Sequence, residues 1–161
     1  MCETIGANNI IPFSSFHQYQ RADSVWAQSI TVDNDEYKDG VSEKINFIEP
    51  FSIIDCKNGK TESIKPNKII PKIKSPEEFG DNWADQLSKE DFEEIKKYFH
   101  SKIMLKKTIG FIRFIVGGKE HFIKFDNKLA SGISFEVPRN SLVTTVRYKI
   151  FDDLLIGNFM K

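Results

Sequence analysis

The chain has 161 residues, and 23 lysines and arginines balance 23 aspartates and glutamates, so its formal net charge is zero. This length fits one ordinary domain, or a smaller domain with an attached arm, and needs no disulfide or structural metal to bury a core. Apolar residues at 40% and charged residues at 29% exclude a disordered or fibrous chain. Zero charge argues against a nucleic-acid-binding protein, because neutralising phosphates requires an excess of basic residues.

Cysteine content and hydropathy indicate the compartment. Cys2 and Cys56 form no CxxC motif, which is typical of free thiols in a reducing environment. No apolar run approaches the roughly 20 residues that span a bilayer, and the first residues lack the regions of a signal peptide. We therefore expect a cytoplasmic protein whose partners include neither membrane nor nucleic acid.

Residues 1–30 contain an apolar run followed by a polar loop. The run from Ile10 to Phe13 predicts a strand that ends at Pro12, because proline cannot donate to a sheet ladder. If this strand belongs to a larger sheet, its free edge must be covered or paired. Self-association through residues 1–30 is therefore expected.

Residues 31–75 have the composition of an arm or linker, with acidic and turn residues and several prolines. Within this arm, Asn58-Gly59 lies between two alternating runs, which is the strongest short-range signal for a β-hairpin. The stretch 69–76 then predicts an extended tether.

Residues 76–161 have the pattern of a compact unit with both helices and strands. Ser88 with Asp91 three residues later predicts a capped helix. Two strands around Gly117-Gly118 and a third over 132–137 predict a sheet, a helix opens near Pro138, and the chain is expected to end in a turn and a short strand. The predicted fold class is α+β, with a small antiparallel sheet and flanking helices, preceded by an extended arm and hairpin.

The histidines and the polar loop are the places where chemistry is most plausible. His17, His100 and His121 lie far apart without paired ligands, so a complete metal site within this chain is not expected. The loop around His17 is rich in hydrogen-bonding groups, and its pattern alone favours a packed, capped loop over a binding site. If this loop forms a site, its candidate residues are Ser15, His17, Tyr19 and Arg21.

The segment from Ile10 to Ala27 resembles the last part of a metallo-β-lactamase-fold hydrolase domain, in the branch related to sialic-acid hydroxylases. Pro12-Phe13-Ser14-Ser15-Phe16 carries this likeness, and Val146-Arg147 and 152–157 resemble the C-terminal extension of that branch. The resemblance implies that His17 is the final metal ligand and that Ser15, Tyr19 and Arg21 bind substrate. The family's His-x-His-x-Asp-His cluster does not occur in this sequence and would belong upstream.

A second resemblance concerns residues 89–161, which are similar to a sterol-carrier-like domain with an apolar tunnel. The many phenylalanines of this region could line such a tunnel, although plain core packing is favoured.

Two functions remain open at this point. One is the non-catalytic C-terminal region of a metallo-β-lactamase-fold metal-dependent hydrolase, which contributes one edge of the active site and a substrate-cover or dimerisation domain. Its regions would be a core edge (1–30), an arm (31–75) and an α+β domain (76–161). The alternative is a small α+β binding module for an apolar ligand, or a protein-interaction domain.

The hydrolase hypothesis also predicts cofactors and partners. The isolated chain is expected to have no activity and no cofactor of its own, and zinc or iron would bind in a full-length parent. Its partner would be a second copy of the chain or a missing N-terminal catalytic domain.

Overall fold

The computed structural model describes residues 3–13, 18–65, 70–125 and 128–156. The chain divides into two units: an N-terminal unit of Met1–Tyr19 and Trp26–Lys72, and a C-terminal unit of Gln20–Val25 and Ile73–Lys161. This division differs from the three predicted regions, because residues 20–25 leave the first region and join the C-terminal unit. The α+β class predicted from the sequence is confirmed.

The described residues of the N-terminal unit form one α-helix and four very short strands. The elements are β1 (Asn9–Ile10), α1 (Asn34–Asp39), β2 (Asn46–Phe47), β3 (Ser52–Ile54) and β4 (Thr61–Ser63). β1 and β2 form a two-stranded parallel pair in which Asn9 lies opposite Asn46 and Ile10 lies opposite Phe47. The first predicted strand is therefore shorter than expected and ends at Ile10.

The predicted hairpin is confirmed as the antiparallel pair of β3 and β4. Asp55 organises its turn, because its carboxylate accepts hydrogen bonds from the Lys57 N–H and the Asn58 amide. Gly59 has a φ of 71°, a left-handed conformation that favours glycine.

Helix α1 was not predicted, because its acidic sequence was interpreted as linker. Asp33 caps the helix by accepting a 2.9 Å hydrogen bond from the Glu36 N–H. Glu36 reciprocates by accepting a 3.1 Å bond from the Asp33 N–H. This capping box satisfies two donors that a helix start otherwise leaves open.

Four α-helices lie in the described part of the C-terminal unit. They are α2 (Lys89–His100), α3 (Ile103–Thr108), α4 (Arg139–Tyr148) and α5 (Asp152–Ile156). The predicted cap of α2 is confirmed, because Ser88 and Asp91 exchange hydrogen bonds of 3.1 and 3.0 Å. The prediction of a turn and a strand at the end of the chain is wrong over 152–156, where the chain forms α5. Two aspartates begin this helix, and their negative charge suits the positive end of the helix dipole. The rest of that predicted segment lies outside the described residues.

Three strands form the sheet of the C-terminal unit, in the order β6-β5-β7: β5 (Phe111–Val116), β6 (Lys119–Lys124) and β7 (Gly132–Glu136). β5 pairs antiparallel with β6, as the Gly117-Gly118 turn predicted, but it pairs parallel with β7. The sheet is therefore mixed and not wholly antiparallel. After β6 the chain crosses to the other side of β5, so β7 runs opposite to β6 and along β5.

A tight backbone contact accompanies this crossing. The Gly110 N–H donates a 2.7 Å hydrogen bond to the Ser131 carbonyl, and a Cβ at Gly110 would lie 1.8 Å from the Leu129 carbonyl oxygen. Only glycine fits here without moving the backbone.

One apolar cluster lies between this sheet and the helices. Phe99 from α2 and Phe114 from β5 lie at its centre with ring centroids 5.3 Å apart, and Phe151 meets both rings edge to face. The buried members are Ile95, Phe99, Ile112, Phe114, Val116, Ile123, Phe125, Val137, Leu142, Val143, Val146 and Leu154. Among the described residues, none of the helices has both the length and the apolar character to cross a membrane.

Candidate functional site

The residues proposed from the sequence lie in three different situations. Ser15 and His17 lie outside the described residues. Tyr19 is half-buried in the N-terminal unit, and its N–H donates a 3.1 Å hydrogen bond to the Gln28 side chain. Arg21 is 4% exposed and belongs to the C-terminal unit. The structure therefore gives a full environment for Arg21 alone among the four candidates.

Arg21 forms a bidentate ion pair with Asp23. Its Nε donates to one carboxylate oxygen at 2.8 Å and its Nη2 donates to the other at 2.9 Å. This parallel arrangement is the strongest geometry available to an arginine and a carboxylate. The indole N–H of Trp83 also donates to Asp23, at 2.8 Å, and fixes the carboxylate from a second direction.

The remaining side of the guanidinium faces Asp81, which is 1% exposed. Nη1 of Arg21 donates to the Asp81 carboxylate, and the Ser141 hydroxyl donates to the same oxygen. The other Asp81 oxygen accepts a 2.8 Å hydrogen bond from the Ser141 N–H, in the first turn of α4. Pro138 at the N-cap of α4 makes no side-chain cap, so Asp81 supplies one. We call Arg21, Asp23, Asp81 and Ser141 the Arg21 cluster.

Backbone bonds fix the same segment. The Ala22 N–H donates to the Lys74 carbonyl at 2.8 Å, and the Lys74 N–H donates to the Gln20 carbonyl at 2.7 Å. These bonds form a one-residue parallel bridge between Arg21 and Lys74. Main chain and side chains together attach residues 20–25 to the C-terminal unit.

The ionisation of this cluster follows from its charges. Burial opposes the charged form of Arg21, but hydrogen bonds and attraction from Asp23 and Asp81 outweigh it and raise the pKa of the guanidinium. Burial alone would raise the pKa of Asp23, yet the hydrogen bonds from Arg21 and Trp83 lower it below its ordinary value. Both groups are therefore held in their charged forms.

A second buried carboxylate, Asp91, lies at the start of α2. Its carboxylate forms an ion pair with the Arg139 guanidinium at 2.7 Å and lies 3.6 Å from the Arg147 guanidinium. The Asp91 side chain is 4% exposed. Burial acts to raise its pKa, but hydrogen bonds from Ser88 and Arg139 lower it. This ion pair joins α2 to α4.

The geometry of the Arg21 cluster suits attachment of a segment. The donors of Arg21 named above all point at groups of its own chain, with 4% of the residue exposed. Its expected contact with a substrate stays a prediction. Sequence reasoning selected Arg21 from a polar loop but missed Asp81 and Ser141, which lie 60 and 120 residues away and carry no local signal.

Within the described ranges, no three His, Cys, Asp or Glu side chains come close enough together to hold a metal ion. The expected role of His17 as a ligand, which concerns a residue beyond those ranges, stays a prediction.

Comparison of the chain with models of protein families, with curated proteins and with solved structures found no match. The two resemblances stated above therefore stay predictions from the residues that carry them.

Proposed function

We propose that the chain is the non-catalytic C-terminal region of a metal-dependent hydrolase with the metallo-β-lactamase fold. In this proposal the N-terminal unit is an edge of the catalytic core and carries the loop with Ser15, His17 and Tyr19. The C-terminal unit is a substrate-cover or dimerisation domain, and it includes residues 20–25, which follow that loop and are held by the Arg21 cluster.

The observation that carries the proposal is the parallel pair of β1 and β2. Each strand has two residues, and a two-stranded sheet is marginal in water without further packing. Parallel strands occur almost only in sheets that are covered on both faces. An isolated parallel pair is what an edge of a larger sheet looks like when it is taken by itself.

Exposed apolar side chains around this pair support the same proposal. Phe13 is 81% exposed, Ile5 is 76% exposed and Ile11 is 43% exposed. All three lie within five residues of β1. A catalytic core that continues the sheet would cover such side chains, and the burial would stabilise the pair.

The Arg21 cluster gives the C-terminal unit its part in the proposal. The ion pairs of Arg21 and its backbone bridge to Lys74 hold residues 20–25 in the C-terminal unit. The segment that directly follows the proposed loop is therefore part of the cover domain.

The test begins with the coding sequence upstream of Met1. An in-frame His-x-His-x-Asp-His motif is expected there, and the longer product should contain tightly bound zinc or iron. His17→Ala should lower the metal content per chain, whereas the control His100→Ala, at the end of α2, should not. Lack of the upstream motif, or equal metal content in both variants, would overturn the proposal.

A further inference from the structure

A cavity of about 480 Å³ opens among three helices of the C-terminal unit, within the range of small-molecule pockets. It lies where α2 ends, α3 follows and α5 begins. Apolar side chains form most of its wall: Tyr98, Phe99, Ile103, Met104, Leu105 and Phe151. No step of the proposed hydrolase function uses this site.

The rim of the cavity exposes apolar surface that the fold does not cover. Ile103 is 68% exposed and Met104 is 70% exposed, although they are adjacent in the first turn of α3. Phe99 and Phe151 close the inner end and belong to or pack on the buried cluster. The site is therefore an apolar pocket with packed aromatic rings at its inner end and exposed apolar side chains at its rim.

Charged side chains lie around the mouth of the cavity. Lys102 lines the cavity, with its ammonium 4.2 Å from the centroid of the Tyr98 ring. Tyr98 and Ser101 are shared with an adjoining cavity of about 340 Å³, which is lined by Lys97, Arg147 and Lys149.

Carboxylates at the two cavities are fewer than the cations. They are Glu94 and Asp152, and Glu94 is paired with Arg147 at 2.8 Å. Arg147 also lies 3.6 Å from Asp91. Four cations, Lys97, Lys102, Arg147 and Lys149, thus stand against three carboxylates, and the excess of one positive charge complements a single anionic group.

From this geometry we propose that the cavity binds a fatty acid as a single, monomeric chain. The alkyl tail lies against Phe99, Leu105 and Phe151, and the carboxylate lies at the shared rim beside Lys102. No covalent step is involved. Affinity comes from burial of methylene groups, and the choice of a carboxylate over a cationic head comes from Lys102.

Binding can be tested on the full chain with sodium dodecanoate below its micelle concentration. Calorimetry would give the affinity, and the methyl signal of Met104 would report the site by NMR. Each methylene removed between dodecanoate and octanoate should weaken binding by up to about fourfold, as expected for burial in an apolar pocket. Dodecyltrimethylammonium, with the same tail and the opposite charge, should bind at least tenfold more weakly.

Two charge reversals on the same surface localise the head group. Lys102→Glu should weaken dodecanoate binding about tenfold or more, whereas the matched control Lys107→Glu, on α3 but outside the cavity lining, should leave it unchanged. Met104→Glu should also weaken binding without lowering the melting temperature, because Met104 is exposed.

Several results would overturn the proposal. These are no binding of monomeric dodecanoate, an unmoved Met104 signal, affinity independent of chain length, or equal effects of the Lys102 and Lys107 variants. Association with anionic or neutral vesicles in place of the monomer would also reject it, in favour of a lipid surface.

Discussion

Among the described residues of the N-terminal unit, the buried apolar side chains are Ala27, Ile45 and Ile48. The C-terminal unit instead buries a continuous cluster that includes Phe99, Phe114 and Leu142. Both units have capped helices, a hairpin and well-formed hydrogen bonds, so local structure does not distinguish them. The difference is burial, which supplies most of the free energy that opposes chain entropy. Well-formed local geometry with so few buried apolar side chains among the described residues marks a unit that depends on something else for stability.

The largest expected effect is in the core of the C-terminal unit. Phe114→Ala removes a fully buried ring and should lower the free energy of unfolding of this unit by about 3–5 kcal/mol. Phe13→Ala truncates an 81% exposed ring of the N-terminal unit. It should change the free energy of unfolding of the C-terminal unit by less than about 0.5 kcal/mol. Urea unfolding followed by Trp83 fluorescence in a Trp26→Phe background isolates the C-terminal unit. If the two variants lost similar free energies of unfolding, burial would not be what distinguishes the two units.

The next effect concerns the Arg21 cluster. Arg21→Met leaves Asp81 buried without its cation and should lower the free energy of unfolding of the C-terminal unit by about 3 kcal/mol. The control is Arg113→Met, because Arg113 and Glu120 form an ion pair at 3.0 Å whose side chains are 36% and 50% exposed. Its loss should cost less than about 1 kcal/mol. If both variants cost the same, the cluster does not attach residues 20–25.

Acid should weaken the C-terminal unit. Folding lowers the pKa of Asp23 and of Asp91, so the unfolded chain binds these protons more readily. Their contribution is complete above the unfolded pKa of about 4 and is lost as the pH falls through the folded pKa. Urea unfolding between pH 6 and pH 2.5 should show this decline, and Asp23→Asn should make it shallower. Asp39→Asn makes the same change in charge on α1 and should leave the slope of the free energy of unfolding against pH unaltered.

The smallest effects come from the two capping boxes. Ser88→Ala removes the N-cap of α2 and should lower the free energy of unfolding of the C-terminal unit by about 1 kcal/mol. Asp33→Ala removes the equivalent cap of α1 in the N-terminal unit and should leave the Trp83 transition where it is. A matching shift from Asp33→Ala would mean that the two units unfold as one.

Short-range signals explain how much of the fold could be predicted. The cap at Ser88, the turn at Asn58-Gly59 and the turn at Gly117-Gly118 each depend on residues a few positions apart, and each was predicted correctly. The parallel pairing of β7 depends on which side of β5 the returning chain takes, and no local residue encodes that choice. Helices α3 and α5 are too short to show a periodic apolar face.

The candidate site was less accessible to prediction for the same reason. Arg21 was noticed because its neighbours are polar, but its partners Asp81 and Ser141 come from distant parts of the chain. The cavity beside α3 was missed because α3 itself was not predicted. Long-range pairs of this kind can be identified only when the fold is known.

Hydrogen exchange of the full chain tests most directly whether the N-terminal unit lacks support of its own. The Asn46 and Ile48 amides donate bonds of 2.8 and 2.9 Å between β1 and β2, and the Phe125 and Val137 amides donate bonds of 2.9 and 3.1 Å beside β5. These bonds are alike in length, so protection will report the stability around them. Asn46 and Ile48 should exchange nearly as fast as in an unfolded chain, while Phe125 and Val137 should exchange only on global unfolding of their unit. Equal protection at all four amides would contradict the account.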